Sequence, residues 1–186
     1  MYRLLLIPIC LLSLNACGPK TPSSDPASPS SFKDDGKRHI NEHEGYSIQI
    51  PDTWVREQRS GSSVVLKAPE PGMNGFADEL SVIVSHLPAA SAMAPSLLDL
   101  FVVKAKQSAK RQHSADIDKE GRLQIAGQPA AWIRYQSDKE GARLTHQTWI
   151  VPKADKCFLV QAVAMSENFN ATLPVFEKAV QSLQLR

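Results

Sequence analysis

The stretch that decides the fold is Ala142-Arg143-Leu144-Thr145-His146-Gln147-Thr148-Trp149-Ile150-Val151, followed by Pro152-Lys153-Ala154-Asp155 and then Lys156-Cys157-Phe158-Leu159-Val160-Gln161-Ala162-Val163-Ala164-Met165. The first run has strand periodicity: Leu144, His146, Thr148 and Ile150 share one side, and Thr145, Gln147, Trp149 and Val151 the other. The second run is the most apolar in the chain and is expected at the centre of a sheet, where both faces are covered. Upstream, Pro129 to Ser137 alternates Ala131, Ile133 and Tyr135 against Trp132 and Arg134, and Asp138 to Gly141 is a polar turn. Turns of about four residues leave no room for parallel crossovers, which need a dozen or more residues, so the three runs form an antiparallel meander.

Working outward, Gly121 to Ala126 reads as a further strand leading into the meander. Nearer the N-terminus, Tyr46 to Ile50, Ser63 to Ala68 and Leu80 to Leu87 read as strands bounded by Pro51, Pro69 and Pro88, with a loop over Pro69 to Asp78. Leu97, Leu98, Phe101, Val102, Ala105 and Ala109 fall on one face at helical spacing, with Pro95-Ser96 as the start and a basic opposite side of Lys104, Lys106, Lys110 and Arg111. Asp99 and Gln107 break that basic side, which reads as an ordinary solvated face. A closing helix carries Leu173, Phe176, Val180 and Leu183 as its stripe, with Asn170 or Thr172 as cap and Pro174 in its first turn. Two amphipathic helices and one antiparallel sheet of about six to seven strands predict an α+β domain with helices covering the sheet.

The N-terminus reads differently. Met1 to Ala16 has a basic start at Arg3 and an apolar run, Leu4 to Leu14, shorter than the roughly 20 residues a spanning helix needs. Leu14-Asn15-Ala16-Cys17 resembles a bacterial lipobox, which implies cleavage before Cys17 and acylation of Cys17. An ordinary secretory site would place a small residue where Leu14 stands. Three chains on Cys17 would anchor the protein permanently, since each buried methylene contributes about 0.8 kcal/mol. Gly18 after the acceptor, rather than aspartate, implies the outer membrane, facing the periplasm, in a host with two membranes. Residues 17–39 are then the lipidated cysteine and a Pro/Ser-rich tether, expected to be disordered and to hold the domain about 25 Å from the lipid as a coil, or about 65 Å when extended. The globular domain is expected over residues 40–186.

The segment Gly45-Tyr46-Ser47-Ile48-Gln49-Ile50-Pro51-Asp52-Thr53-Trp54 resembles the opening of PsbP-like domains, and the element order after it is similar to theirs. The resemblance covers about residues 43 to 186 and implies an α/β/α sandwich. Its members include a photosystem II extrinsic subunit, a nuclear Ran-binding protein and small bacterial lipoproteins, most of which bind other proteins. The resemblance implies no common catalytic residues.

Composition limits the chemistry. Twenty-one basic and 19 acidic side chains give a formal charge of +2, so no strongly basic surface suggests a nucleic-acid partner. The sequence has no dinucleotide or phosphate-loop glycine motif and no Gly-x-Ser-x-Gly elbow. His39 and His43, with Glu42 and Glu44, are the nearest approach to a metal cluster, but they precede a strand rather than lie on a helix, so no metal or other cofactor is expected. Cys157 sits in an apolar strand and reads as a small buried hydrophobe, leaving no disulfide. Trp132, Trp149 and His146 remain as the ligand or partner surface. The reading is a non-catalytic, membrane-anchored envelope lipoprotein that binds another envelope protein, with a small apolar ligand or lipid in a sheet–helix pocket as the alternative.

Overall fold

The structure, a computed structural model, describes residues 36–57, 59, 64–71, 75–87 and 97–186. Its centre is the expected meander. β6 (Ile117–Ile125), β7 (Gln128–Lys139), β8 (Ala142–Lys153) and β9 (Lys156–Met165) pair antiparallel in sequence order. The connections are tighter than expected. Ala126-Gly127 and Glu140-Gly141 each place two residues at positive φ, between 51° and 82°. Two-residue turns of this hand match the twist of the flanking strands, and glycine at the second position lowers the cost. β7 and β8 therefore each end two residues further into the following turn than the apolar pattern indicates.

On the other side of β9 lie β5 (Glu79–His86), β4 (Val64–Lys67) and β3 (Val55–Glu57), completing a seven-stranded antiparallel sheet in the order β3-β4-β5-β9-β8-β7-β6. The most apolar strand, β9, is the middle one of the seven, as its composition requires. α1 (Leu97–His113) carries the chain from β5 to the far edge at β6 and covers one face, burying Phe101 and Ala109 against Ile133, Tyr135, Ile150 and Cys157. α2 (Phe169–Gln181) covers the other face, where Phe169, Phe176 and Val180 meet Trp149, Phe158, Val160, Leu80 and Leu66. The result is the expected α+β sandwich of two helices flanking an antiparallel sheet.

Two features depart from the expectation. Tyr46–Gln49 (β2) does not join the main sheet. It pairs with β1 (Arg38–Asn41) and with β10 (Gln184–Leu185) in a second, three-stranded sheet beside α2. Alternation alone cannot choose a strand's partner. Here Tyr46 and Ile48 face the main core, and Arg38 ties the three strands by donating to Ser47 Oγ (3.0 Å) and Ser182 O (2.6 Å). β1 thus begins at Arg38. α2 also starts a turn earlier than a cap at Asn170 or Thr172 would allow: Asn168 is its N-cap, and Ala171 and Thr172 donate to Asn168 O at 2.9 and 3.1 Å. Burial of Phe169, 2% exposed, outweighs the local capping preference, and Thr172 instead donates to Asp78 Oδ2 at 2.7 Å. The signal peptide, Cys17 and the tether as far as residue 35 lie outside the described residues, as does the Pro95-Ser96 helix start.

Candidate functional site

The α1 face of the sheet holds a polar cluster that the strand pattern does not advertise. His146 on β8 stands opposite Tyr135 on β7, and the rings stack with centroids 4.7 Å apart and planes 5° from parallel. His113, at the end of α1, lies 4.8 Å from His146 and 5.5 Å from Tyr135. Ser137 Oγ is 2.8 Å from His146 Nε2, and Gln161 Nε2 donates to the Tyr135 hydroxyl at 3.1 Å. His146 is 5% exposed, and its Nδ1 has no hydrogen-bond partner among the described residues. Burial, reinforced by neighbouring His113, pushes the His146 imidazole down to about 4, and burial also lowers His113. Burial pushes the Tyr135 phenol up to about 12, against the opposing effect of the Gln161 hydrogen bond. All three rings are neutral at pH 7.

The serine–histidine contact is not a nucleophile–base pair of the hydrolase kind. Such a pair needs a third group on Nδ1 to orient the imidazole and to stabilise the cation that forms. Nδ1 has none here, and an imidazole held near 4 is a weak base. An open cavity of about 820 Å³ adjoins the cluster, lined among others by Arg59, Lys67, Glu79, His113 and His146. Four charges cluster at its wall: Arg59 pairs with Glu79 (3.0 Å) and Glu57 (3.3 Å), and Lys67 with Glu57 (2.8 Å) and Glu79 (3.6 Å), while Asp138 and Lys139 also line the cavity.

Trp132 and Trp149 stand directly opposite each other on β7 and β8, on the face away from His146. The structure thus brings together two of the three residues singled out in the sequence and separates the third. Trp149 is 2% exposed, within the cluster that holds Phe169 and Phe176. Trp132 is half-buried, its indole lying over Gly121 on β6 and beside the Arg134 guanidinium, which also covers Phe169 at 4.9 Å and donates to Gln147 Oε1 at 2.6 and 2.8 Å. A Cβ at residue 121 would lie 2.6 Å from Trp132 Nε1. Gly121→Ala is therefore expected to displace the indole, cost about 1–3 kcal/mol by overpacking, and shift tryptophan emission; an unchanged spectrum and unfolding midpoint would contradict this packing.

Trp132 also lines a cleft of about 290 Å³ between α1 and the β6–β7 edge, with Val102, Val103, Lys106, Gly121 and Arg122 among its walls. Beside it, Leu100 and Val103 point outward from α1, 39% and 51% exposed. Two residues of the basic side of α1 are tied to acids, Lys106 to Glu120 and Lys110 to Asp116 (3.9 Å), and Asp99 of the same helix pairs with Arg122. On the opposite side of the domain, Pro51, Trp54, Pro174, Val175 and Ala179 line an open groove of about 480 Å³ with Asp52 and Lys178 on its rim. Trp54 meets Phe176 edge-on at 5.8 Å, and Val55 next to it is 54% exposed. Sequence analysis placed Trp54 just beyond a strand but had no means of joining it to α2, which is far away along the chain.

His39 lies in β1, half-buried, with Nδ1 3.4 Å from Arg56 Nη1, whereas the His43 side chain is 92% exposed in the following turn. Among the described residues no group of three or more histidine, cysteine or carboxylate side chains could hold a metal ion. Cys157 is fully buried, and burial pushes its thiol up to about 12, so it is unreactive at neutral pH.

No family model matches the sequence, and neither does any curated protein. Solved structures do match the fold. A Pseudomonas aeruginosa protein of unknown function, PA94, is 20% identical with a TM-score of 0.56, covering 80% of this chain and 96% of that one. The solution structure of cyanobacterial PsbP (CyanoP) from Synechocystis sp. PCC 6803 is 13% identical with a TM-score of 0.59, covering 80% and 91%. LpqN of Mycobacterium tuberculosis, a protein involved in cell envelope biogenesis, is 14% identical with a TM-score of 0.56, covering 80% and 88%. The fold of this chain is thus similar to that of PsbP, as its Gly45–Trp54 opening implies, and at these identities the likeness is one of architecture.

Proposed function

We propose that the chain is a membrane-anchored envelope lipoprotein whose domain is non-catalytic and binds another envelope protein. Residues 1–16 serve as its signal peptide, Cys17 as the lipidated residue, and the following Pro/Ser-rich segment as the tether. In a host with two membranes the anchor lies in the outer one, and the domain faces the periplasm. The observation that carries the binding reading is the strip formed by Leu100 and Val103 on α1, beside the cleft between α1 and the β6–β7 edge. Two large apolar side chains facing outward from a helix, next to a cleft walled by Val102 and Ala131, have the composition of the centre of a protein interface. The involvement of LpqN in cell envelope biogenesis is in keeping with this reading. Among the described residues no helix is long and apolar enough to cross a membrane.

A photo-cross-linking residue at Val103 is expected to capture one envelope protein in intact cells. Cys17→Ala should abolish palmitate incorporation and weaken the capture. A cross-linker at the exposed Glu177 of α2 serves as the control. Equal capture from both positions, or none from Val103, would overturn the assignment of this strip. The alternative of a small apolar ligand between Trp132 and Trp149 is less favoured, because Trp149 is enclosed by the core; the open apolar groove is instead at Trp54.

A further inference from the structure

We infer that the groove formed by the Pro51–Trp54 loop and the outer turns of α2 is a lipid-docking surface, seated on the zwitterionic phospholipid layer in which Cys17 is anchored; this rests on the anchoring reading above. Three observations converge on it. First, Pro51, Trp54, Pro174 and Val175 line an apolar groove that no element covers among the described residues, and Val175 is one of the four exposed large hydrophobics among them. Tryptophan at such an edge is the side chain favoured at a membrane–water boundary, because its ring is apolar and its N–H is polar.

Second, the chain enters the fold beside this groove. Lys37 O accepts from Ile50 N at 2.8 Å and Arg38 pairs with Gln49, so the segment leading from Cys17 joins the domain one residue from Pro51. A link of this length confines the domain within about 65 Å of the anchor. The lipid surface is then present at a high effective concentration, and a contact too weak to hold a free protein suffices. Third, the rim carries one acid and one base, Asp52 and Lys178, neither of which makes an ion pair among the described residues. A headgroup bearing an ammonium and a phosphate offers a partner to each, whereas a purely anionic surface would be repelled by Asp52. Because α1 lies on the opposite face of the main sheet, a domain docked in this way keeps Leu100 and Val103 clear of the lipid.

The test uses full-length protein purified from membranes and reconstituted into vesicles of phosphatidylethanolamine and phosphatidylcholine with brominated acyl chains. Flotation with the vesicles, and its loss in Cys17→Ala, reads the anchor. Quenching of tryptophan emission reads the docking. The expected result is that anchored protein is quenched, that Trp54→Phe removes the quenching, and that Val175→Asp protein floats but is not quenched. Val175 is 38% exposed, so its replacement leaves the core intact. Protein that floats without quenching, or is quenched equally without Trp54, overturns the docking while the anchor stands. Protein that neither floats nor incorporates palmitate overturns both. Capture of a protein by a cross-linker at Val175, without quenching, assigns the groove to that protein instead.

Discussion

Phe176→Ala is expected to destabilise the domain by about 3–5 kcal/mol, the range for deleting a buried phenylalanine ring when the surroundings relax only partly. Phe176 is fully buried. Its ring meets Trp54 edge-on at 5.8 Å and Phe169 at 5.9 Å, so it joins the Pro51–Trp54 loop, the start of α2 and the main sheet at one point. Aromatic pairs of this geometry contribute about 0.5–1.5 kcal/mol beyond the area they bury. Domains of this kind are stable by about 5–15 kcal/mol in total, so the loss would be a large share. Urea denaturation of the variant against wild type checks it, with Val175→Ala as the control one residue away. Val175 is 38% exposed, and its truncation should change stability by no more than about 0.5 kcal/mol. A loss below about 1 kcal/mol for Phe176→Ala would mean that α2 does not pack as described.

The second large effect is on pH dependence. His146 is held near 4 in the folded protein, below the ordinary imidazole value of 6.5. The folded state therefore binds fewer protons than the unfolded chain between these values, and stability rises with pH across that window. The contribution is fully present above about pH 6.5 and is lost as pH falls towards 4, by about 3 kcal/mol from a shift of this size. The lowered value of His113 acts in the same direction. Carboxylate titration is common to wild type and variant, so the comparison of interest is with His146→Gln, which cannot ionise. Between pH 7 and pH 4 the wild type should lose about 3 kcal/mol more than the variant. Equal losses would show that the stacked cluster of His113, His146 and Tyr135 opens freely to water.

The opening motif and the meander show how far local pattern reaches. β9 was legible to its first and last residues because eight of its ten positions, all but Lys156 and Gln161, carry apolar or small side chains between turn signals. The alternation in β7 and β8 assigned every side chain to a face, and the structure keeps that assignment, with Trp132 and Trp149 on one face and His146 with Ile150 on the other. Both amphipathic helices were legible for the same reason: a periodic stripe declares that a face must be buried, and a sheet is what is available to bury it.

What the stripe cannot declare is which neighbour covers it. Nothing in Leu144-Thr145-His146 distinguishes a histidine facing a pocket from one stacked between a tyrosine and a second histidine, because His113 arrives from another element and Tyr135 from another strand. Tyr46–Gln49 has the pattern of a main-sheet strand, yet its partners are Arg38–Asn41 and the last residues of the chain, a pairing set by the packing of α2. The groove at Trp54 exists only because α2 brings Pro174 and Val175 beside Pro51. By itself, then, the sequence determined the longer strands, both helices and the side their residues face, since these follow from the periods of 2 and 3.6 along one chain, whereas the short β1, β3 and β10 show no period of their own. Only the tertiary structure decided which faces stay uncovered, because exposure depends on contacts between segments far apart in sequence, and the candidate surfaces of this protein are of that kind.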